Sequence, residues 1–145
     1  MNRMYVANKA LIENGDGKIL LIRDAGIGDH ATLAGLWDVP GGRMELQETP
    51  YEGLVREIKE EIGLDILPYD TRPFYVDKWG VNGDIVNKPI IGVFWIIALR
   101  SSDITLSAEH SEFQWADPHM PPTPLMPPVG RAFTFLLTNL AISKR

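Results

Sequence analysis

The hydrophobic residues near the start of the chain fall into two stretches that predict a pair of β-strands. Residues 4–13 and 18–23 are rich in Val, Ile and Leu, and the polar segment Asn14-Gly15-Asp16-Gly17 separates them. Asn-Gly and Asp-Gly pairs between two apolar runs are typical of a β-hairpin. Residues 25–35 contain three glycines and predict a surface loop. Residues 36–39 then predict a short strand that ends at Pro40-Gly41-Gly42.

A helix is predicted after this strand. Thr49 is a suitable N-cap, Pro50 suits the first helical position, and Gly63 is a suitable stop. Between these signals, aliphatic residues recur at helical spacing and give the helix one apolar face: Leu54, Val55, Ile58 and Ile62.

Later apolar stretches predict strands near 66–77, 88–100 and 110–115, with a turn over 79–84 between the first two. Six prolines between Pro118 and Pro128 exclude regular structure in that segment. Beyond them, apolar residues at helical spacing predict a C-terminal helix: Val129, Phe133, Leu136, Leu137 and Leu140. We therefore expect a mixed α/β fold with few helices and a central sheet.

Composition and charge limit the number of domains, the cellular location and the partners that we expect. The 145 residues fit one domain, 1–145, with one core. There are no cysteines, which excludes disulfides, thiolate metal sites and a cysteine nucleophile and is compatible with a cytoplasmic location. The longest apolar run, 89–99, is too short to span a bilayer, so no membrane partner is expected. A net charge of −5 argues against a nucleic-acid polymer as partner.

The negative charge is concentrated in one segment. Residues 43–65 carry three basic and seven acidic residues, a net −4, which leaves −1 for the rest of the chain. Glu57, Glu60 and Glu61 lie near the C-terminal end of the predicted helix, where the helix dipole disfavours each anion by about 0.3–1 kcal/mol. A solvated acidic face is one interpretation. A site for a hard cation such as Mg²⁺ or Mn²⁺ is the other, since carboxylates suit these ions. The helix alone leaves both open.

A longer pattern favours the cation site. Gly42 is followed by five residues and then Glu48, and after seven more residues comes the segment REIKEEIGL, 56–64. This resembles the Nudix box, G-x5-E-x7-R-E-U-x-E-E-x-G-U with U aliphatic, at every specified position of 42–64. With residue usage of several per cent each, a chance match is on the order of 10⁻⁹ per starting position. The flanks are also similar to the family: a KILLIR strand before the box, the pattern Trp-x-x-Pro-Gly-Gly at 37–42, and a strand ending in Trp115.

The resemblance implies a fold and an activity. The fold would be the Nudix fold, an α/β arrangement in which a mixed β-sheet is sandwiched between α-helices. The activity would be Mg²⁺-dependent hydrolysis of the pyrophosphate bridge in a nucleoside diphosphate linked to another group. We expect ADP-ribose or another nucleotide sugar first. The alternative is a (d)NTP, cleaved to the monophosphate and pyrophosphate as in MutT-like house-cleaning. A binding module without turnover is a further alternative, which the complete set of box glutamates argues against.

The resemblance also assigns roles to residues of the box. Glu57, Glu60 and Glu61, with the backbone carbonyl of Gly41, match metal ligands of the family. Arg56, Glu57 and Glu60 are the catalytic candidates in the box. We expect Arg56 to orient the acids through an ion pair, with Glu48 as its partner.

A general base or additional metal ligand is expected after the box. Glu109 lies six residues before Trp115, as in some family members, and is the first candidate, with Glu112 as the alternative. His110 lies between them and is expected to be structural. His30 and His119 have no partner spacing and receive no role.

Substrate-binding residues are less constrained by the sequence. Arg23 ends the KILLIR strand and is a candidate for holding a phosphate, and Trp37, Trp79 and Phe74 are aromatic candidates for stacking on a base. No asparagine precedes the C-terminal helix, where family members that hydrolyse 8-oxo-dGTP carry one, and this argues against that substrate. Many relatives are dimers, so a homodimer is an alternative to a monomer.

Overall fold

The structure is a computed structural model that describes residues 3–80, 88–99 and 103–143. Within these ranges there are seven strands and two α-helices. The strands are β1 Tyr5–Glu13, β2 Ile19–Asp24, β3 Trp37–Asp38, β4 Gly41–Arg43, β5 Thr71–Trp79, β6 Ile90–Ala98 and β7 His110–Ala116. The helices are α1 Pro50–Ile62 and α2 Pro127–Ser143, with short 3-10 helices at Gly28–Leu33 and Pro68–Asp70.

The strands form one mixed sheet that opens between its first two strands. The main order is β3-β2-β1-β6-β5, with β4 added to β1 and β7 added to β2. β1 runs parallel to β6 along its whole length, whereas β1 and β2 pair only at the hairpin end, Glu13 with Ile19. β4 uses the free edge of β1 and pairs Gly41 with Lys9. The segment between β3 and β4 therefore enters where the sheet opens.

Two apolar clusters cover the two faces of this sheet. Successive residues of β1 alternate between them, because side chains of a strand point to opposite faces. One cluster joins α1 to the sheet and includes Ala10, Ile12, Leu54, Ile58 and Ile62. The other joins α2 to the sheet and includes Leu11, Phe94, Val129, Phe133 and Leu136. The predicted arrangement of a mixed sheet between helices is confirmed. Neither helix within the described residues is long and apolar enough to cross a membrane.

The predicted bounds of α1 are confirmed, and local hydrogen bonds account for them. The Thr49 hydroxyl accepts from the Glu52 N–H at 3.2 Å, and the Glu52 carboxylate accepts from the Thr49 N–H at 3.0 Å. This reciprocal capping box satisfies two N–H groups at the start of the helix. Gly63 ends the helix with φ 74°, a left-handed conformation that glycine adopts without strain.

Other predicted bounds were wrong, each for a local reason. β5 begins at Thr71 rather than near 66, because Pro68 starts a 3-10 helix, and it continues through Trp79, which the sequence suggested for a turn. Residues 81–84 of that predicted turn lie outside the described residues. α2 begins inside the proline-rich segment, at Pro127, because proline fits the first turn of a helix, where its missing N–H needs no partner. The predicted 25–35 loop contains a 3-10 helix, and Gly41 and Gly42 belong to β4.

We expect Thr49→Ala to lower the free energy of unfolding by about 1 kcal/mol, because it removes the hydroxyl acceptor at the start of α1. Urea denaturation followed by circular dichroism measures this change. Thr134→Ala on α2 is the control. Its hydroxyl is exposed and bonds to a carbonyl of its own helix, so the expected change is within about 0.5 kcal/mol. Equal losses in the two variants would contradict the capping role.

Candidate active site

Two glycines of β4 allow the backbone to approach its neighbours closely. Gly41 has φ 131°, and a Cβ there would clash with the backbone carbonyl of Asn8 on β1. A Cβ on Gly42 would lie 2.8–2.9 Å from the three atoms of the Glu57 carboxylate. A side chain at either position would displace its neighbours. The glycines therefore let the Glu57 carboxylate lie directly against the backbone of β4.

Glu61 lies one turn after Glu57 on α1 and is 7% exposed. Its Oε1 accepts a hydrogen bond from the Gly41 N–H at 2.8 Å, and its Oε2 lies 3.5 Å from Nε2 of His110. Burial raises the pKa of Glu61 well above its usual range; the ammonium of Lys9 lowers it, and the Glu57 carboxylate, within hydrogen-bonding reach, raises it further. Glu57 and Glu61 thus place two neighbouring carboxylates against the glycines of β4.

Arg56 connects the acids of the box. Its Nε and Nη2 donate to the two carboxylate oxygens of Glu48 at 2.7 and 3.0 Å, as the sequence led us to expect. Its Nη1 donates to Glu57 at 3.1 Å and to Glu60 at 3.3 Å. The hydrogen bonds that Arg56 donates to Glu48 are the largest cause that raises the pKa of Arg56, and the same bonds lower the pKa of Glu48. A paired guanidinium in this position fixes the orientation of several carboxylates at once.

Two residues that the sequence analysis missed complete the network. Lys9, on β1, is 12% exposed, and its Nζ lies 3.0 Å from Oδ2 of Asp38 and 3.5 Å from the carbonyl oxygen of Gly41. Burial by itself would lower the pKa of Lys9, but the carboxylates of Asp38, Glu61 and Glu57 outweigh it and raise that pKa. The polar pair Asn8-Lys9 in the middle of the apolar residues of β1 was the signal that could have revealed it.

The remaining candidates lie around this network. The Glu60 side chain is 58% exposed and contacts Arg56. Glu109 is exposed on the turn before β7, and Glu112 pairs with Arg23 at 2.8 Å. Across the part of the chain that the structure describes, no three His, Asp or Glu side chains converge into a complete ligand set. Two acids, Glu57 and Glu61, are therefore the centre of the site.

The substrate-binding candidates are divided between surface and core. The Arg23 guanidinium donates to the Gly35 carbonyl at 3.0 Å and lies over the ring of Trp37, 5.5 Å from its centroid. Trp37 is 6% exposed and Trp79 is 5% exposed. The Trp79 indole covers Gly92, where a Cβ would clash with it. Both tryptophans thus have the placement of core residues, and their role in binding a base stays a prediction.

Comparison with known proteins agrees with this geometry. The family model for the NUDIX domain matches residues 5–136. The chain belongs to the NUDIX family. The MutT protein from Methanosarcina mazei Go1 shares the fold, with a TM-score of 0.73 and 29% identity over 95% of this chain and 96% of that one.

Two of the curated relatives that the chain resembles are named as hydrolases of nucleotides. The chain is 45% identical over 63 residues to a CTP pyrophosphohydrolase from Escherichia coli K12, a match that covers 43% of this chain and 44% of that protein. It is 29% identical over 118 residues to the nucleoside triphosphatase NudI from Escherichia coli O81, covering 74% and 78%. The chain spans less than half the length of the first curated relatives it matches.

The residues at this NUDIX site fit a divalent cation. Glu57 and Glu61 are the candidate carboxylate ligands. Gly41, whose N–H donates to Glu61, is the candidate carbonyl ligand. Mg²⁺ prefers oxygen ligands and keeps several waters, so two acids and one carbonyl are sufficient protein ligands. The carboxylate of Glu57 raises the pKa of Glu61, and a cation beside Glu61 would instead favour its ionised form. The resemblance implied these three ligands together with Glu60 and Glu109, and the metal-binding role of all five stays a prediction.

We expect Lys9→Met to lower the free energy of unfolding by about 3 kcal/mol, because it leaves the carboxylate of Asp38 without its buried cation. Chemical denaturation measures this change. Lys59→Met is the matched control. Lys59 pairs with Asp65 at the surface, and both side chains are more than half exposed, so the expected change is less than about 1 kcal/mol. The double variant Lys9→Met/Asp38→Asn should recover part of the loss. A Lys9→Met protein as stable as the wild type would contradict the pairing.

Proposed function

We propose that this chain is a pyrophosphohydrolase of a nucleoside diphosphate derivative, dependent on Mg²⁺, with Mn²⁺ as a substitute. The single observation that carries the proposal is the pair of acids Glu57 and Glu61 held against the glycine strand β4. The carboxylates lie within reach of each other, and one of them is buried. A solvated acidic face would leave both acids in water, so the burial supports a site over a surface.

The electrostatics of the substrate support a role for the cation. A pyrophosphate is strongly anionic, and an acidic pocket by itself repels it. When bound, Mg²⁺ neutralises phosphoryl oxygens, polarises the phosphorus and lowers the pKa of a bound water. The chain holds the ligands in place: Gly41 fixes Oε1 of Glu61 through its N–H, and Arg56 fixes Glu57.

We keep Glu109 as the proposed base or additional ligand. It belongs to a turn whose backbone is bonded to the end of α1, since the Ser107 N–H donates to the Glu61 carbonyl at 3.0 Å. Glu109 is exposed on that turn, two residues from the contact. Glu112, the alternative, is held by Arg23 in the exposed pair described above, which favours Glu109 for the reaction.

The relatives favour a nucleoside triphosphate as the substrate. The two whose matches are given above are named for the hydrolysis of CTP and of nucleoside triphosphates. We therefore propose attack of water on a phosphorus of the triphosphate, with a nucleoside monophosphate and pyrophosphate as products. ADP-ribose, the first expectation from the sequence, stays a prediction for the same assay.

We expect Glu57→Gln to lower metal-dependent hydrolysis by at least about 100-fold, because a neutral amide is a weak ligand for Mg²⁺. Chromatographic detection of the nucleoside monophosphate released from a nucleotide panel, with and without EDTA, measures this. Glu13→Gln is the control, since Glu13 is exposed at the end of β1 and should leave the rate within about twofold. Turnover that survives Glu57→Gln would overturn the metal assignment. No turnover on a broad panel would favour the binding module.

We expect the wild-type protein to hydrolyse a nucleoside triphosphate faster than ADP-ribose at equal concentration. Ion-exchange chromatography distinguishes the products, a monophosphate with pyrophosphate in the first case and AMP with ribose 5-phosphate in the second. Faster cleavage of ADP-ribose would reject the triphosphate and restore the first expectation.

A further inference from the structure

The turn before β7 is attached to the end of α1 that carries the acids. The Thr105 N–H donates to the Ile62 carbonyl and the Ser107 N–H donates to the Glu61 carbonyl, each at 3.0 Å. The His110 N–H closes the turn on the Ser107 carbonyl at 3.2 Å. The first residue of β7 is thereby fixed relative to the backbone of Glu61.

The side chain of His110 continues this contact to the Glu61 carboxylate. Both side chains are buried, with 8% of the histidine and 9% of the glutamate exposed. Nε2 of His110 lies 3.5 Å from Oε2 of Glu61, while Oε1 is already occupied by the Gly41 N–H at 2.8 Å. Oε1 of Glu61 therefore faces the Gly41 N–H of β4, and Oε2 faces the imidazole of His110 on β7.

The other ring nitrogen of His110 argues against a packing role. Nδ1 is buried and has no hydrogen-bond partner among the described residues. Buried polar atoms are nearly always paired, and an unpaired one destabilises the fold. A leucine would fill the same space without this penalty. Of the two ring nitrogens, only Nε2 of His110 contacts a polar group in the described part of the chain. This pattern favours a role for Nε2 over a role in packing alone.

We propose that His110 is a positioning residue for Glu61, and this inference rests on the proposed metal site. With its proton on Nε2, His110 would donate to Oε2 of Glu61 and limit rotation of that carboxylate, which would hold the cation together with Glu57. Removing a residue that hydrogen-bonds to a metal ligand, without contacting the metal, typically lowers metal affinity by about 10–100-fold. From the sequence, His110 was expected to be structural, whereas the proposed role acts on the carboxylate of Glu61.

The test compares three substitutions at one position. Glutamine can place an N–H near the position of Nε2, asparagine can place one only near Nδ1, and leucine can place none. We expect His110→Leu and His110→Asn to weaken Mn²⁺ binding by about tenfold, measured by titration calorimetry, and His110→Gln to stay within about threefold of the wild type. His119→Leu is the control, because His119 is 70% exposed and paired with Asp117 at the surface. Denaturation in EDTA reports folding separately.

Each result decides the inference. Equal Mn²⁺ affinity in His110→Leu and the wild type would overturn it, as would equal losses in the glutamine and asparagine variants. A purely structural histidine predicts lower stability in EDTA with unchanged affinity. The Glu57→Gln protein separates the two proposals. If the wild type and Glu57→Gln bind Mn²⁺ alike, the metal site itself is wrong and the role of His110 fails with it.

Discussion

The structure depends on one close approach, that of two acids on α1 to the glycine strand β4. Like charges in contact repel, and burial makes the repulsion stronger. The arrangement persists because Gly41 and Gly42 present only backbone, so that a carboxylate contacts the strand and accepts its N–H group. The opening of the sheet between β1 and β2 is what gives β4 its place on β1.

Two positively charged side chains, Arg56 and Lys9, lie beside these acids and offset the repulsion between them. Arg56 binds the outer acids on one side, and Lys9 contacts Asp38 and the Gly41 carbonyl on the other. The three buried side-chain atoms without a partner in the described residues belong to Asn8, Ser107 and His110. Asn8 pairs with Gly42 across β1 and β4, and the other two lie on the turn bonded to Glu61. These unpaired polar atoms therefore lie on the elements around the proposed metal site, where departures from ideal pairing are common in functional sites.

Some features were predictable because their causes are local. The bounds of α1 follow from Thr49, Pro50 and Gly63, each of which acts through bonds to its own helix. The box spacing on that helix likewise brings Glu57 and Glu61 to one face, one turn apart. By contrast, the start of β5 depended on a 3-10 turn at Pro68 and on pairing with β6. Trp79 was predicted to lie in a turn, but it ends β5 and its indole packs over Gly92 of β6.

The sequence by itself determined the family and the bounds of α1, the helix that carries the box, and the resemblance to the family implied the sandwich of helices around a mixed sheet. These rest on periodicity, caps and a motif with fixed spacing, which need no knowledge of distant residues. Only the tertiary structure decided that Glu61 is the buried acid, that Lys9 is its neighbouring cation, and that His110 faces its carboxylate. Burial and pairing of charges depend on residues far apart in the chain, since Lys9, Gly41, Glu61 and His110 come from four elements. The spacing of these four residues in the sequence does not indicate that they lie close together in the fold.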